Sequence, residues 1–154
     1  MNNPSMSDQR ASTRQSMAGV RLRRHADYQR AYTAGRKRQS ASMSWFLAPR
    51  PGEEAQAAPR VGLTAGKVLG KAHERNRIKR RMREALRRHV DLLPAGFDLI
   101  LHPRRSVMTM EFTKLEAEVV RILQQAGTEA ARTRAAELAK GTGSPVHGLG
   151  GPTQ

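Results

Sequence analysis

Nine of the chain's 28 Lys and Arg fall within Lys71–Arg88, KAHERNRIKRRMREALRR, alongside two acids, Glu74 and Glu84. Seven of the nine are Arg. A guanidinium offers five donors in a planar fork, grips phosphate two oxygens at a time and stacks on bases, whereas an ammonium is a point charge. A solvated, salt-bridged helix face would need matching acids, and like charges one turn apart repel unless a polyanion is present. A helix lying on a membrane would crowd Trp, Phe and Leu onto its apolar face, and only Leu86 is there. Nucleic acid is the partner these residues fit.

A second group is aromatic. Tyr28 and Tyr32 lie one turn apart, Trp45 and Phe46 follow, and together they are four of the chain's six aromatic residues. Unpaired bases stack on such rings for about 1–3 kcal/mol each with little regard to sequence. Catalytic machinery is absent by comparison. His25, His73, His89, His102 and His147 have no partner at metal-ligand spacing, there is no Gly-Lys-Ser/Thr phosphate loop, and Glu53-Glu54 is the one carboxylate pair. With no cysteine, thiolate metal sites, disulfides and a cysteine nucleophile are excluded.

Elements must position these residues. Ile78, Met82, Ala85 and Leu86 recur at helical spacing and predict a helix anchored by an apolar stripe, with Asn76, Arg80, Arg83 and Arg87 on the opposite face and Arg77, Arg81 and Arg88 along one flank. Upstream, the spacing from Leu22 predicts a helix beginning near Ala26 or Asp27 and stopped by Gly35. Residues 41–48 alternate as a strand ending at Pro49, Pro51–Pro59 reads as a loop, and Arg60–Ala65 reads as a strand pairing antiparallel with the one before it. The Gly66–Lys71 turn, with Gly near both ends, presents amides to a phosphate or base. Phe97–His102, apolar on both faces, predicts a buried central strand. Leu115, Val119, Ile122, Leu123 and Ala126 predict a last helix, with Thr109 or Thr113 as N-cap and Thr113–Glu116 as a capping box.

The formal net charge of +15 directs the whole chain toward a polyanion. At 154 residues with 4% aromatics there is room for one domain with a lean core. The expected organisation is a disordered tail over 1–17, a domain over 18–127, and a helical extension with a flexible tail over 128–154. No apolar run reaches a membrane span and no signal-peptide core opens the chain, so a cytoplasmic location is expected.

Glu74–Arg88, with the core Arg75-Asn76-Arg77-Ile78-Lys79-Arg80-Arg81, resembles the arginine-asparagine-arginine signature of the bacterial ribonuclease P protein component, and the resemblance extends from about Leu22 to Ala126. It implies an α/β sandwich of order αβββαβα with a central sheet and an unusual left-handed β-α-β crossover, a two-layer fold shared with a small-subunit ribosomal protein domain. General physics would draw that crossover right-handed.

The resemblance also implies the role. The protein would be the subunit of a ribonucleoprotein endonuclease that removes the 5′ leader from precursor tRNA, with hydrolysis carried out by an RNA subunit whose Mg²⁺ ions are held by RNA and substrate. One protein is expected per RNA. The signature helix would bind the RNA subunit through Arg75, Asn76, Arg77, Lys79, Arg80 and Arg81, with Arg83 and Arg87 on the same helix. A cleft formed by Tyr28, Tyr32 and Phe46, with Lys67 and Lys71 on the turn, would hold the single-stranded leader. The chain departs from the family in that turn: where members have Ser-Lys-Lys and then Gly-Asn-Ala, it has Ala65-Gly66-Lys67-Val68 and then Gly70-Lys71-Ala72. The competing expectation is a non-catalytic ribosomal or general RNA-binding protein of similar fold.

Overall fold

In the computed structural model, residues 20–51 and 57–150 are described. The tail expected over 1–17 and the Glu53-Glu54 pair lie outside them. The elements are α1 (His25–Ala34), β1 (Arg36–Gln39), β2 (Met43–Pro49), β3 (Arg60–Leu63), α2 (Ala72–Arg87), β4 (Phe97–Pro103) and α3 (Phe112–Gly150), in the order αβββαβα.

The four strands form one sheet in the order β1-β2-β4-β3. Every residue of β4 but His102 is buried, which is what a strand apolar on both faces requires. It pairs antiparallel with β2 and parallel with β3. The expected antiparallel hairpin between β2 and β3 is therefore corrected: β3 lies across β4 from β2. The ten residues Arg50–Pro59 are too long for a tight hairpin, and the described residues at either end of that connection meet the start of β4. There the Arg50 N–H donates to the Gly96 carbonyl at 2.8 Å and the Gly96 N–H to the Ala57 carbonyl at 2.7 Å. The basic cluster Arg36-Lys37-Arg38 is itself an edge strand, antiparallel to β2, and its charges discourage pairing with another chain. The opposite edge is covered, since the Leu22 N–H donates to the Val61 carbonyl at 2.8 Å and the Val61 N–H to the Val20 carbonyl at 2.7 Å.

Strand alternation divides the sheet. Met43, Trp45, Val61, Leu99 and Leu101 face the main core, where they meet Ile78, Met82 and Leu86 of α2 and Leu115, Ile122 and Leu123 of α3. Each such fully buried apolar side chain contributes about 1.5–3 kcal/mol. Ala48 and Ile100 face the other way, under Ala31 of α1 and Leu22. A buried ion-pair group fastens α1 there. Asp98, 1% exposed, accepts a bidentate pair from Arg60 at 2.8 and 2.9 Å, and Arg60 also donates to Asp27 of α1 at 3.1 Å. Gly35 ends α1, but not through a left-handed turn: its φ is −90°. A Cβ there would lie 2.8 Å from the carbonyl oxygens of both Ala31 and Leu47, so closeness of backbones selects glycine.

The last helix begins at Phe112, which corrects its expected cap. Thr113 lies inside the first turn and donates to Glu111 at 2.8 Å, while Glu116 bonds His89 at 2.8 Å. The helix shows no break at residue 127. Ala130 is buried, and Arg134 reaches the Ala95 carbonyl and stands over the Phe97 ring at 5.6 Å. It continues to Gly150, past Gly141, where a tail was expected. Propagating a helix from a packed nucleus is far easier than starting one.

Candidate nucleic-acid interface

The basic helix α2 buries the four residues assigned to its stripe, Ile78, Met82, Ala85 and Leu86. Its register is thereby fixed. Asn76, Arg77, Arg80, Arg83 and Arg88 are exposed, and Arg75, Lys79, Arg81 and Arg87 are half-buried.

These side chains separate into two groups. On one side Lys79, Arg80, Arg83 and Arg87 line a groove of about 740 Å³ with Arg21, Arg23 and Tyr28. One acid, Glu84, also lines it, and it is held by Arg87 at 2.6 Å. Burial first, and then repulsion from Arg21, lower the pKa of Arg83; like charges crowded this way are relieved by an anion. On the other side Arg77 donates to the Met108 carbonyl at 3.1 Å. Arg81 donates to the Met110 carbonyl and stands 6.0 Å over the Phe112 ring. Arg81 thus packs α2 against the start of α3, and part of its fork is unavailable to a phosphate. The Arg75 Nε is buried without an acceptor among the described residues.

The aromatic residues meet across elements distant in sequence. The Tyr32 ring lies 6.4 Å from Tyr28 and edge-on to Phe46 at 5.0 Å. Trp45, on the opposite face of β2, is 1% exposed in the core. Tyr28 donates a hydrogen bond to the Leu22 carbonyl at 3.3 Å and presses on β3 at Gly62, where a Cβ would lie within 2.8 Å of its ring and hydroxyl. His102 completes the group, hydrogen-bonded to the Tyr32 hydroxyl at 3.0 Å and with its ring 5.6 Å from Phe46. Burial, and then the charge of Lys37, hold its pKa below the ordinary 6.5. The partners of His102 are distant in sequence, Tyr32 by 70 positions, so no local spacing marks it. The one sequence signal is alternation on β4, which puts a polar ring on the same face as Ile100, turned toward α1.

Lys67 and Lys71 are exposed on the turn after β3, and no described hydrogen bond, ion pair or ring contact joins either to the aromatic group. The turn is held by Arg105, which donates to the Leu69 carbonyl at 2.7 Å and pairs with Glu74 at 2.9 Å. Glu74 also accepts the Lys71 N–H at 2.8 Å, one half of a capping box. The Arg105 hydrogen bond, and then that backbone one, pull the Glu74 carboxyl down to about 2. Gly70 is required here: its φ is +126° and a Cβ would strike Glu74 and Arg105.

Among the described residues no three His, Asp or Glu gather at metal-ligand spacing. Asp27, Asp98, Glu74 and Glu84 are each engaged by an Arg, so these carboxylates are poor candidates to hold a resident ion. No helix of the described residues is long and apolar enough to cross a membrane.

A family model described as Ribonuclease P matches residues 17–127. A ribonuclease P protein component of Chloroflexus aggregans is 38% identical over 69% of this chain and 76% of its own length. One from Thermobifida fusca is 33% identical over 77% and 86%. Among solved structures, the RNase P protein of Thermotoga maritima superposes with a TM-score of 0.59 at 25% identity, covering 68% of this chain and 96% of that one. That of Staphylococcus aureus gives 0.57 at 26% identity, covering 70% and 94%.

Proposed function

The chain belongs to the ribonuclease P protein family, and from that premise we propose that it is the protein subunit of a ribonucleoprotein endonuclease that removes the 5′ leader of precursor tRNA. The observation that carries this reading is the groove in which Tyr28 lies beside Lys79, Arg80, Arg83 and Arg87. A stacking surface and a phosphate-binding surface are continuous there.

In this reading the exposed side of α2, with Asn76, Arg80 and Arg83, holds the phosphates of the RNA subunit. Tyr28, Tyr32 and Phe46, with His102 beside them, receive unpaired leader bases. Lys67 and Lys71 meet backbone where the leader joins the tRNA. Hydrolysis belongs to the RNA subunit, and the Mg²⁺ it needs is held by RNA and substrate rather than by protein carboxylates. The protein's part is to bind and orient, which lowers the barrier by placing substrate against a prepared site. One protein per RNA and a cytoplasmic setting complete the proposal.

Reconstitution tests it. Purified protein alone leaves precursor tRNA intact, and protein with the cognate RNA subunit and Mg²⁺ yields 5′-phosphate tRNA ends. Cleavage by nuclease-free protein alone overturns the assignment of hydrolysis to RNA. Equal weakening of leader-bearing and mature tRNA by Tyr32→Ala would instead indicate a general RNA binder.

A further inference from the structure

A second groove, of about 650 Å³, lies at the β1 edge of the sheet, between that strand and α3. Lys37, Arg38, Arg121 and Arg132 line it against one acid, Glu129. Arg38 holds Glu129 at 2.9 Å. Arg121 and Arg132 are exposed, and neither has a carboxylate within ion-pair distance among the described residues. The floor is also rich in donors. The indole N–H of Trp45, a residue 1% exposed, and the Nε–H of Arg38 are both buried and without an acceptor among the described residues. Their unanswered dipoles add to the positive potential above them.

The aromatic cleft and this groove meet at β1. Lys37 is the register partner of Phe46 and Arg38 that of Trp45, so consecutive residues of one edge strand serve opposite faces of the sheet. Lys37 stands beside the aromatic cleft and also lines the second groove. Beyond this bridge the basic side chains run on along α3. A chain whose bases stack in the cleft and whose phosphates need cations as it leaves would find Lys37, then Arg38, then Arg121 and Arg132.

We infer that the 5′ leader, after filling the aromatic cleft, crosses the β1 edge at Lys37 and lays its phosphates in the groove between β1 and α3, where Arg121 and Arg132 are the main contacts. This rests on the reading of Tyr28, Tyr32 and Phe46 as the leader cleft. The ligand is single-stranded RNA backbone, read by charge and without sequence preference.

The test uses the full-length protein with its RNA subunit and precursors whose leaders are lengthened one nucleotide at a time. The wild type gains affinity in two stages, a short-leader gain that Tyr32→Ala removes and a later gain from longer leaders. Arg121→Ala/Arg132→Ala keeps the first stage, loses the second, and flattens the log-log salt dependence for the longest leader by about 1.4 units for two single-strand phosphate contacts. Arg121→Lys/Arg132→Lys retains the second stage, and unchanged circular dichroism shows that the variants fold. Retention of the long-leader gain by the double Ala variant overturns the inference. So does an equal loss of affinity with and without a leader, which would assign the groove to the RNA subunit. If Tyr32→Ala leaves both stages intact, the cleft reading fails, and the path that starts from it fails with it.

Discussion

Tyr32 and His102, 70 positions apart in the chain, are joined by a 3.0 Å hydrogen bond between the phenol oxygen and Nε2. The bond closes the aromatic group by tying α1 to the central strand, and it places a titratable ring among stacking surfaces.

Burial, followed by the charge of Lys37, lowers the pKa of His102 from 6.5. The folded state therefore binds its proton less readily than the unfolded chain, and the stability this confers is present above pH 6.5 and falls as pH drops through 6.5 toward the folded value. Urea unfolding at stepped pH should show the wild type losing stability over that window. His102→Asn, which can still bond Tyr32, should lose less. Parallel pH profiles for the two proteins would refute this.

Two glycines should respond oppositely to alanine. Gly127 lies inside α3 with nothing within 4 Å of an added Cβ, so Gly127→Ala should stabilise by about 0.5–1 kcal/mol through helix propensity and a less flexible unfolded chain. Gly70→Ala meets both a φ of +126° and the Glu74 and Arg105 side chains, and should cost at least about 1–3 kcal/mol. Thermal melts of both variants decide this.

The pair Glu74–Arg105 predicts an acid-sensitive turn. With the Glu74 carboxyl held at about 2 in the folded state against an ordinary 4.5, its stabilising effect is complete above pH 4.5 and disappears as pH falls to about 2. The wild type should lead Arg105→Gln in unfolding experiments near neutrality, and the gap should close across that window. A gap of constant size would show that Arg105 acts only through the Leu69 carbonyl.

What could be read in advance was local. The stripe of α2 and the burial of β4 are periodic patterns within a single segment, and physics at that range determines them. The partner of β3 depends on Arg50 and Ala57 both meeting Gly96 at the start of β4, and the Tyr32–His102 bond depends on α1 lying across the sheet; no spacing within a segment records either. The basic residues show the same limit from the other side. Helical phase sets Arg77 and Arg81 on a flank apart from Arg80, Arg83 and Arg87, but only the packing of α2 against Met108, Met110 and Phe112 shows that this flank is engaged by the protein itself.

That separation gives the sharpest prediction about binding. Arg80 and Arg83 are exposed in the groove, so Arg80→Gln/Arg83→Gln should leave thermal stability within about 0.5 kcal/mol. The same variant should lower the log-log salt slope for binding the RNA subunit by about 1.8 units if each contacts one duplex phosphate. Arg81→Gln should behave in the opposite way. It withdraws a charged donor from the Met110 carbonyl and a cation from the Phe112 ring, so it should cost about 1–3 kcal/mol of stability. Its salt slope should stay close to wild type. If Arg81→Gln instead flattened the slope with stability intact, the side of α2 turned toward α3 would be the RNA-facing one, and the groove beside Tyr28 would lose its place in the binding of the RNA subunit.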